Sequence, residues 1–217
     1  INFHMKYHCL RYFWEYAAEN MDTVAITVLL ISLEHSQLFH LLSYQDENEY
    51  TALHWCAHRE HFNEVIKMIL DSVSEEECYQ LLSILDSIER TPLDRSCIKG
   101  STESLRVMLN HINQDMRYSL LQMRDEHSNT PLNLSSYFCH SDVMKVIHES
   151  VTQTQWIDLL QMKGSHKMTV LQYVVYWNYQ SCIETIRESV SDEEWLQLVS
   201  TPLLEYNQWY HINDRYQ

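Results

Sequence analysis

The chain has 217 residues, 45% hydrophobic and 21% charged, enough apolar surface for a core and outside the range of a disordered chain. It contains only 2 Gly and 3 Pro, where average usage gives about fifteen and eleven. That scarcity excludes folds built on glycine-rich phosphate loops and favours helices joined by polar turns. Thirty Asp and Glu against 15 Lys and Arg leave a formal net charge of -15 with no basic stripe, so nucleic acid is excluded as a partner.

Taken in chain order, residues 10–48 read as a degenerate first unit in which Ala17, Ala18, Val24, Ile26, Leu29 and Leu30 keep helical spacing. The run Val28 to Ile31 is the longest aliphatic stretch, too short for direct membrane insertion. From Thr51 onward the chain repeats itself. TALHWCAHREH at Thr51, TPLDRSCIKGS at Thr91, TPLNLSSYFCH at Thr130 and TVLQYVVYWNY at Thr169 follow one another at steps of 40, 39 and 39 residues. A second landmark keeps the same step: Leu41-Leu42, Leu81-Leu82, Leu120-Leu121, Leu159-Leu160 and Leu198-Val199. The expected division is one array with units at about 10–48, 49–88, 89–127, 128–166 and 167–205. Residues 206–217 then form a partial unit or a C-terminal cap.

Each unit is expected to hold three short helices. The first starts at the Thr and buries small or apolar residues at offsets 2, 5 and 6: Leu53, Cys56, Ala57; Leu93, Ser96, Cys97; Leu132, Ser135, Ser136; Leu171, Val174, Val175. The second carries an aliphatic stripe, as in Val65, Ile66, Ile69 and Leu70. The third begins at an N-cap residue, Ser74, Asn113, Thr152 or Ser191, with Glu77, Gln155 and Glu194 completing capping boxes in three of the four. The acidic runs beginning at Ser74 and Ser191 are therefore helix starts, where carboxylates face the positive end of the helix dipole.

Thr-x-Leu followed by small residues and an aliphatic helix resembles the ankyrin repeat; Thr51-Ala-Leu-His-Trp-Cys-Ala57 comes nearest to that family's T-P-L-H-x-A core. Asp46, Asp86 and Asp125 stand where the family has its hairpin aspartate. The resemblance covers about residues 10–200 and implies an all-α solenoid of stacked units, each lengthened by the third helix, with a non-catalytic protein-binding role. The chain departs from the family at the hairpin glycine, replaced by Glu49, Glu89, Ser128 and Lys167, and at the inter-helix glycine, where Glu60, Gly100, Cys139 and Asn178 stand. Non-glycine residues at left-handed positions predict looser or re-routed loops.

The resemblance implies a partner groove lined by offsets 4, 7 and 8 of the first helix: Trp55, His58, Arg59; Arg95, Ile98, Lys99; Leu134, Tyr137, Phe138; and Tyr173, Tyr176, Trp177. A face that only met water would carry Lys, Glu and Gln, so aromatic residues here point to a protein partner, or to a tail folding over them. The hairpin tips flank the groove with Glu47, Glu49 and Tyr50; Glu89 and Arg90; His127 and Asn129; and His166 and Lys167. Acidic tips in the first half suit a partner of some basic character.

No catalytic motif is present. His54, Cys56, His58 and His61 are the richest cluster with metal-ligand character, and a metal-binding or enzymatic domain on that helix is the rival reading; the resemblance implies instead a buried structural histidine at His54, and no metal or cofactor is expected. Six cysteines without a C-x-x-C pair read as buried thiols of a reducing compartment, the cytoplasm or the nucleus. The start at Ile1, without a leader, suggests a segment of a larger protein whose own domains are then alternative partners.

Overall fold

A computed structural model describes residues 22–59 and 62–200. Every regular element among them is a helix: α1 (Thr23–Ser32), α2 (His35–Leu42), α3 (Ala52–Ala57), α4 (Asn63–Asp71), α5 (Glu75–Leu82), α6 (Pro92–Lys99), α7 (Thr102–Asn110), α8 (Gln114–Leu121), α9 (Pro131–Tyr137), α10 (Ser141–Glu149), α11 (Gln153–Gln161), α12 (Val170–Tyr176), α13 (Gln180–Glu188) and α14 (Asp192–Ser200). The fold is an all-α repeat array.

Helices of the same rank stack on one another. The first helices α3, α6, α9 and α12 pack in sequence, and the second helices α1, α4, α7, α10 and α13 form a parallel row. Leu53, Leu93, Leu132 and Leu171 are buried between the rows, and small Ala57, Cys97 and Ser136 let consecutive first helices approach. The third helices close the array with the repeated Leu pairs, of which Leu82, Leu121 and Leu160 are fully buried. Trp156 is also fully buried, and its indole N–H donates across the repeat to Ser189 Oγ at 2.9 Å.

Helix starts follow the local signals. Ser74, Thr152 and Ser191 accept from the backbone N–H three residues on, while Glu77, Gln155 and Glu194 reach back to the cap. Arg117 takes the place of a hydrophobic staple and donates its Nε–H to the carbonyls of Leu109 (2.6 Å) and Ile112 (2.9 Å), satisfying the end of α7. The four first helices carry a capping box too: Thr51, Thr91, Thr130 and Thr169 pair with His54, Asp94, Asn133 and Gln172.

The hairpins correct one expectation. They are neither loose nor re-routed: Glu49, Glu89, Ser128 and Lys167 adopt φ of 58°, 59°, 66° and 59°, and Cys139 and Asn178 stay left-handed as well. In the first three hairpins the reason is an aspartate three residues upstream of the left-handed residue. Asp46 Oδ1 accepts the N–H groups of Asn48 and Tyr50, Asp86 Oδ1 those of Ile88 and Arg90, and Asp125 Oδ1 those of His127 and Asn129. Two side-chain hydrogen bonds per turn offset the cost of a left-handed non-glycine residue.

Gly164 occupies the aspartate place in the fourth hairpin; Ser165 N–H, whose counterparts Ser87 and Glu126 donate to a backbone carbonyl of the preceding hairpin, donates instead to Asn129 Oδ1 at 2.8 Å. A Cβ at Gly164 would lie 2.7 Å from Asn129 Oδ1 and 2.9 Å from Asn133. Gly164→Ala is accordingly expected to lower stability by about 1–3 kcal/mol. Urea unfolding checks this, and an unchanged midpoint would mean that the two amides swing aside freely.

A second correction concerns Val175. Its counterparts at offset 6 are buried by the following first helix, yet Val175 is 49% exposed because no further first helix packs against α12 among the described residues. The residues from 201 onward, where a partial unit or cap is expected, lie outside the described residues.

Candidate protein-binding face

The first-helix row presents a continuous side whose character changes along the array. In the last two units it is aromatic. Tyr137 of α9 stacks on Tyr173 of α12 with ring centroids 5.1 Å apart at 27°. Phe138 meets Tyr137 edge-on, and Tyr176 meets Trp177 at 90° with centroids 5.2 Å apart. Tyr173 also touches Trp177 and Tyr179. Phe138, Tyr176 and Trp177 are 43%, 47% and 43% exposed, whereas Tyr137 and Tyr173 are half-buried beneath them. Burial raises the Tyr173 hydroxyl pKa well above the phenol range, so Tyr173 stays uncharged. Tyr179, adjoining Tyr173 from the start of α13, is the member that offset counting missed; it lies one residue past the left-handed turn and follows no first-helix period.

The first half of the face is cationic instead. Arg59 covers the rings of Trp55 and Phe62 at 5.7 and 5.9 Å, and Trp55 donates its indole N–H to Asp46 Oδ2 at 2.8 Å. Lys99 is exposed, and Ile98 is half-buried with its carbonyl 3.0 Å from His140 Nε2. His58 is half-buried; burial, then Lys99, Arg95 and Arg59, hold its pKa below the usual imidazole value, so it stays neutral near pH 7.

Three residues expected on the exposed face are buried. Arg95 is 7% exposed, because its guanidinium is paired with the buried Asp86 carboxylate and lies 4.5 Å from the centre of the Tyr50 ring. Leu134 is 3% exposed and belongs to the core, because offset 4 of a short helix also faces the hairpin beneath it. Asn129 is drawn inward to cap the Ser165 amide. Of the other tip residues, Glu47, Glu49, Glu89, His127 and Lys167 are exposed. Tyr50 is half-buried against His54 and Trp55, and Arg90 reaches Asp125 at 3.3 Å. The side chain of His166 lies outside the described residues, as does His61.

Behind this face runs a polar ladder. His54 Nδ1 is held by Thr51, and Nε2 lies 2.9 Å from the Arg90 carbonyl. Both ring nitrogens are therefore engaged, and burial depresses the imidazole pKa to about 4, which makes His54 a neutral strut rather than a free ligand for a metal ion. Asn133 likewise accepts from Thr130 and donates to the Met162 carbonyl at 3.3 Å. Among the described residues no group of three or more His, Cys, Asp or Glu could hold a metal ion, and no helix is long and apolar enough to cross a membrane.

The family of ankyrin repeats (3 copies) matches residues 14–119. The register of Thr130 and Thr169 continues the same pattern beyond the matched part. No curated protein matches the chain.

Proposed function

We propose that this chain, which belongs to the ankyrin-repeat family, is a non-catalytic scaffold of about five units that captures a protein partner on its first-helix face. Ankyrin repeats are generally protein–protein interaction modules. The observation that carries the finer reading is the exposed cluster of Phe138, Tyr176 and Trp177, supported from below by stacked Tyr137 and Tyr173. Three large rings held by other rings form a preorganised apolar anchor, which a partner engages with little ordering cost. Trp55, His58, Arg59, Ile98 and Lys99 extend the contact along the same side, with Glu47, Glu49 and Glu89 at its rim. The partner is another protein, or another domain of a longer chain, and the setting is a reducing one, in keeping with five described cysteines present as thiols.

The combined change Tyr176→Ala and Trp177→Ala is expected to weaken partner capture by roughly tenfold or more. Both rings are nearly half exposed, so the melting temperature should move by no more than about 2 °C. Quantitative affinity capture by wild-type and variant chains, with thermal unfolding alongside, tests this. A large fall in melting temperature would show that the rings are packed by the chain's own tail, and unchanged capture would move the binding face elsewhere.

A further inference from the structure

Cys139 occupies a position that the turn itself does not explain. It is the left-handed residue between α9 and α10, with φ of 60°, where the other described units have Gly100 and Asn178, the residue types that tolerate this conformation. Its side chain is half-exposed at the turn that follows Phe138. The thiol lies 3.9 Å from the thiol of Cys182 on α13 of the next unit, and 3.8 Å from Ser181 Oγ.

We propose that Cys139 and Cys182 are a redox pair that crosslinks two consecutive units when a peroxide is present. The two sulfurs must close by about 2 Å to reach bonding distance, within reach of side-chain rotation and a small shift of the turn. The chemistry needs one oxidant and two thiols. The accessible Cys139 sulfur attacks hydrogen peroxide, the O–O bond breaks, water leaves, and Cys139 becomes a sulfenic acid. The Cys182 sulfur then attacks the Cys139 sulfur, the S–O bond breaks, and the thiol proton leaves with hydroxide as a second water. Two thiols and one peroxide thus give one disulfide and two waters, and a small-molecule dithiol reverses the step by exchange.

The division of labour follows from burial. Cys182 is fully buried, and desolvation, with the neighbouring Cys139 adding to it, pushes its thiol pKa up. It is therefore a poor target for an oxidant in solution but stands beside the only electrophile it needs. Cys56, Cys78 and Cys97 are buried in the core, with Cys56 and Cys78 raised to about 12 and about 11. The crosslink would fasten the turn next to Phe138 to the helix that follows Trp177 and Tyr179. It stands whether or not the aromatic face binds a partner, because its readouts are mass and thiol content.

The test treats the purified chain with a few equivalents of hydrogen peroxide. The expected product is a monomer lighter by two hydrogens, with four of the six cysteines still reactive after denaturation. A tryptic map should join the peptides of Cys139 and Cys182. Non-reducing unfolding should show a rise in melting temperature of roughly 5 °C or more, because the bond closes a long loop in the unfolded chain. Dithiothreitol should restore the parent mass, and Cys139→Ser and Cys182→Ser should each abolish the mass loss. Cys139 carried to sulfinic acid while Cys182 stays free, or a disulfide between chains instead of within one, would overturn the proposal.

Discussion

The gap in melting temperature between Asp94→Asn and the parent chain is expected to widen by roughly 5–10 °C between pH 5 and pH 8, with the variant the more stable. Asp94 is fully buried. One carboxyl oxygen accepts the Thr91 N–H at 2.9 Å and the Thr91 hydroxyl at 2.8 Å, while the other has no hydrogen-bond donor. In the isosteric place one unit later, Asn133 fills that second position with an N–H donor to the Met162 carbonyl. Protonation of Asp94 removes the charge that would otherwise sit beside this donorless oxygen. Burial pushes the Asp94 pKa up to about 7, with the Asp125 carboxylate adding to the rise while Thr91 and Arg90 oppose it.

The sign follows from proton linkage. Between an unfolded carboxyl near 3.8 and a folded one near 7, the folded chain binds the extra proton, so stability falls as pH rises through that window and levels off above it. The full penalty is at most about 4 kcal/mol, of which Asn is spared. His54 works the other way, since its pKa of about 4 against an ordinary 6.5 means that folding loses stability as pH falls from 6.5 toward 4. The two opposing contributions flatten the pH profile of the parent chain, and comparison with Asp94→Asn separates them. A gap that stays constant from pH 5 to pH 8 would show that Asp94 is ionised in the folded array.

Arg95→Ala is expected to cost about 3–5 kcal/mol, lowering the melting temperature by roughly 10 °C or more. The Asp86 side chain has no exposed surface, and its Oδ2 accepts from Arg95 Nε at 2.8 Å as well as from the second guanidinium nitrogen. Its Oδ1 is already committed to the hairpin amides of Ile88 and Arg90. Removing the guanidinium leaves a buried carboxylate that holds a left-handed turn but has no counter-charge. The double change Asp86→Asn and Arg95→Met should recover most of the loss, because no charge is then stranded. Thermal unfolding of the three variants decides the matter. If Arg95→Ala left the melting temperature in place and instead weakened partner capture, Arg95 would be a contact residue on the surface and not a bolt between hairpin and helix.

Arg95 also marks where reading by period stops. Periodicity names the side of a helix that carries apolar or small residues, and it placed Leu53, Cys97, Ser136 and Val174 in the interior, where they lie. It does not measure how wide the buried arc is. A first helix of six to eight residues touches the preceding unit, the following unit and its own hairpin, so offset 4 is covered as well, and Arg95 and Leu134 go inside. The hairpins show the converse. Their missing glycines argued for irregular loops, but the compensating Asp46, Asp86 and Asp125 are local in sequence, and the five-residue spacing to the Thr records the turn they stabilise.

Amino-acid order alone determined the repeat length, the helix starts and the all-α class, because all three depend on contacts within a few residues or on a regular recurrence. Tertiary structure decided which aromatic rings stay exposed, that Asn129 serves the following hairpin, that the second oxygen of Asp94 lacks a donor, and that Cys139 meets Cys182. Each of these joins residues about 35–43 positions apart or reflects burial by a neighbouring unit. The period predicts that such residues come near one another; only the packing of one unit on the next fixes which atoms touch.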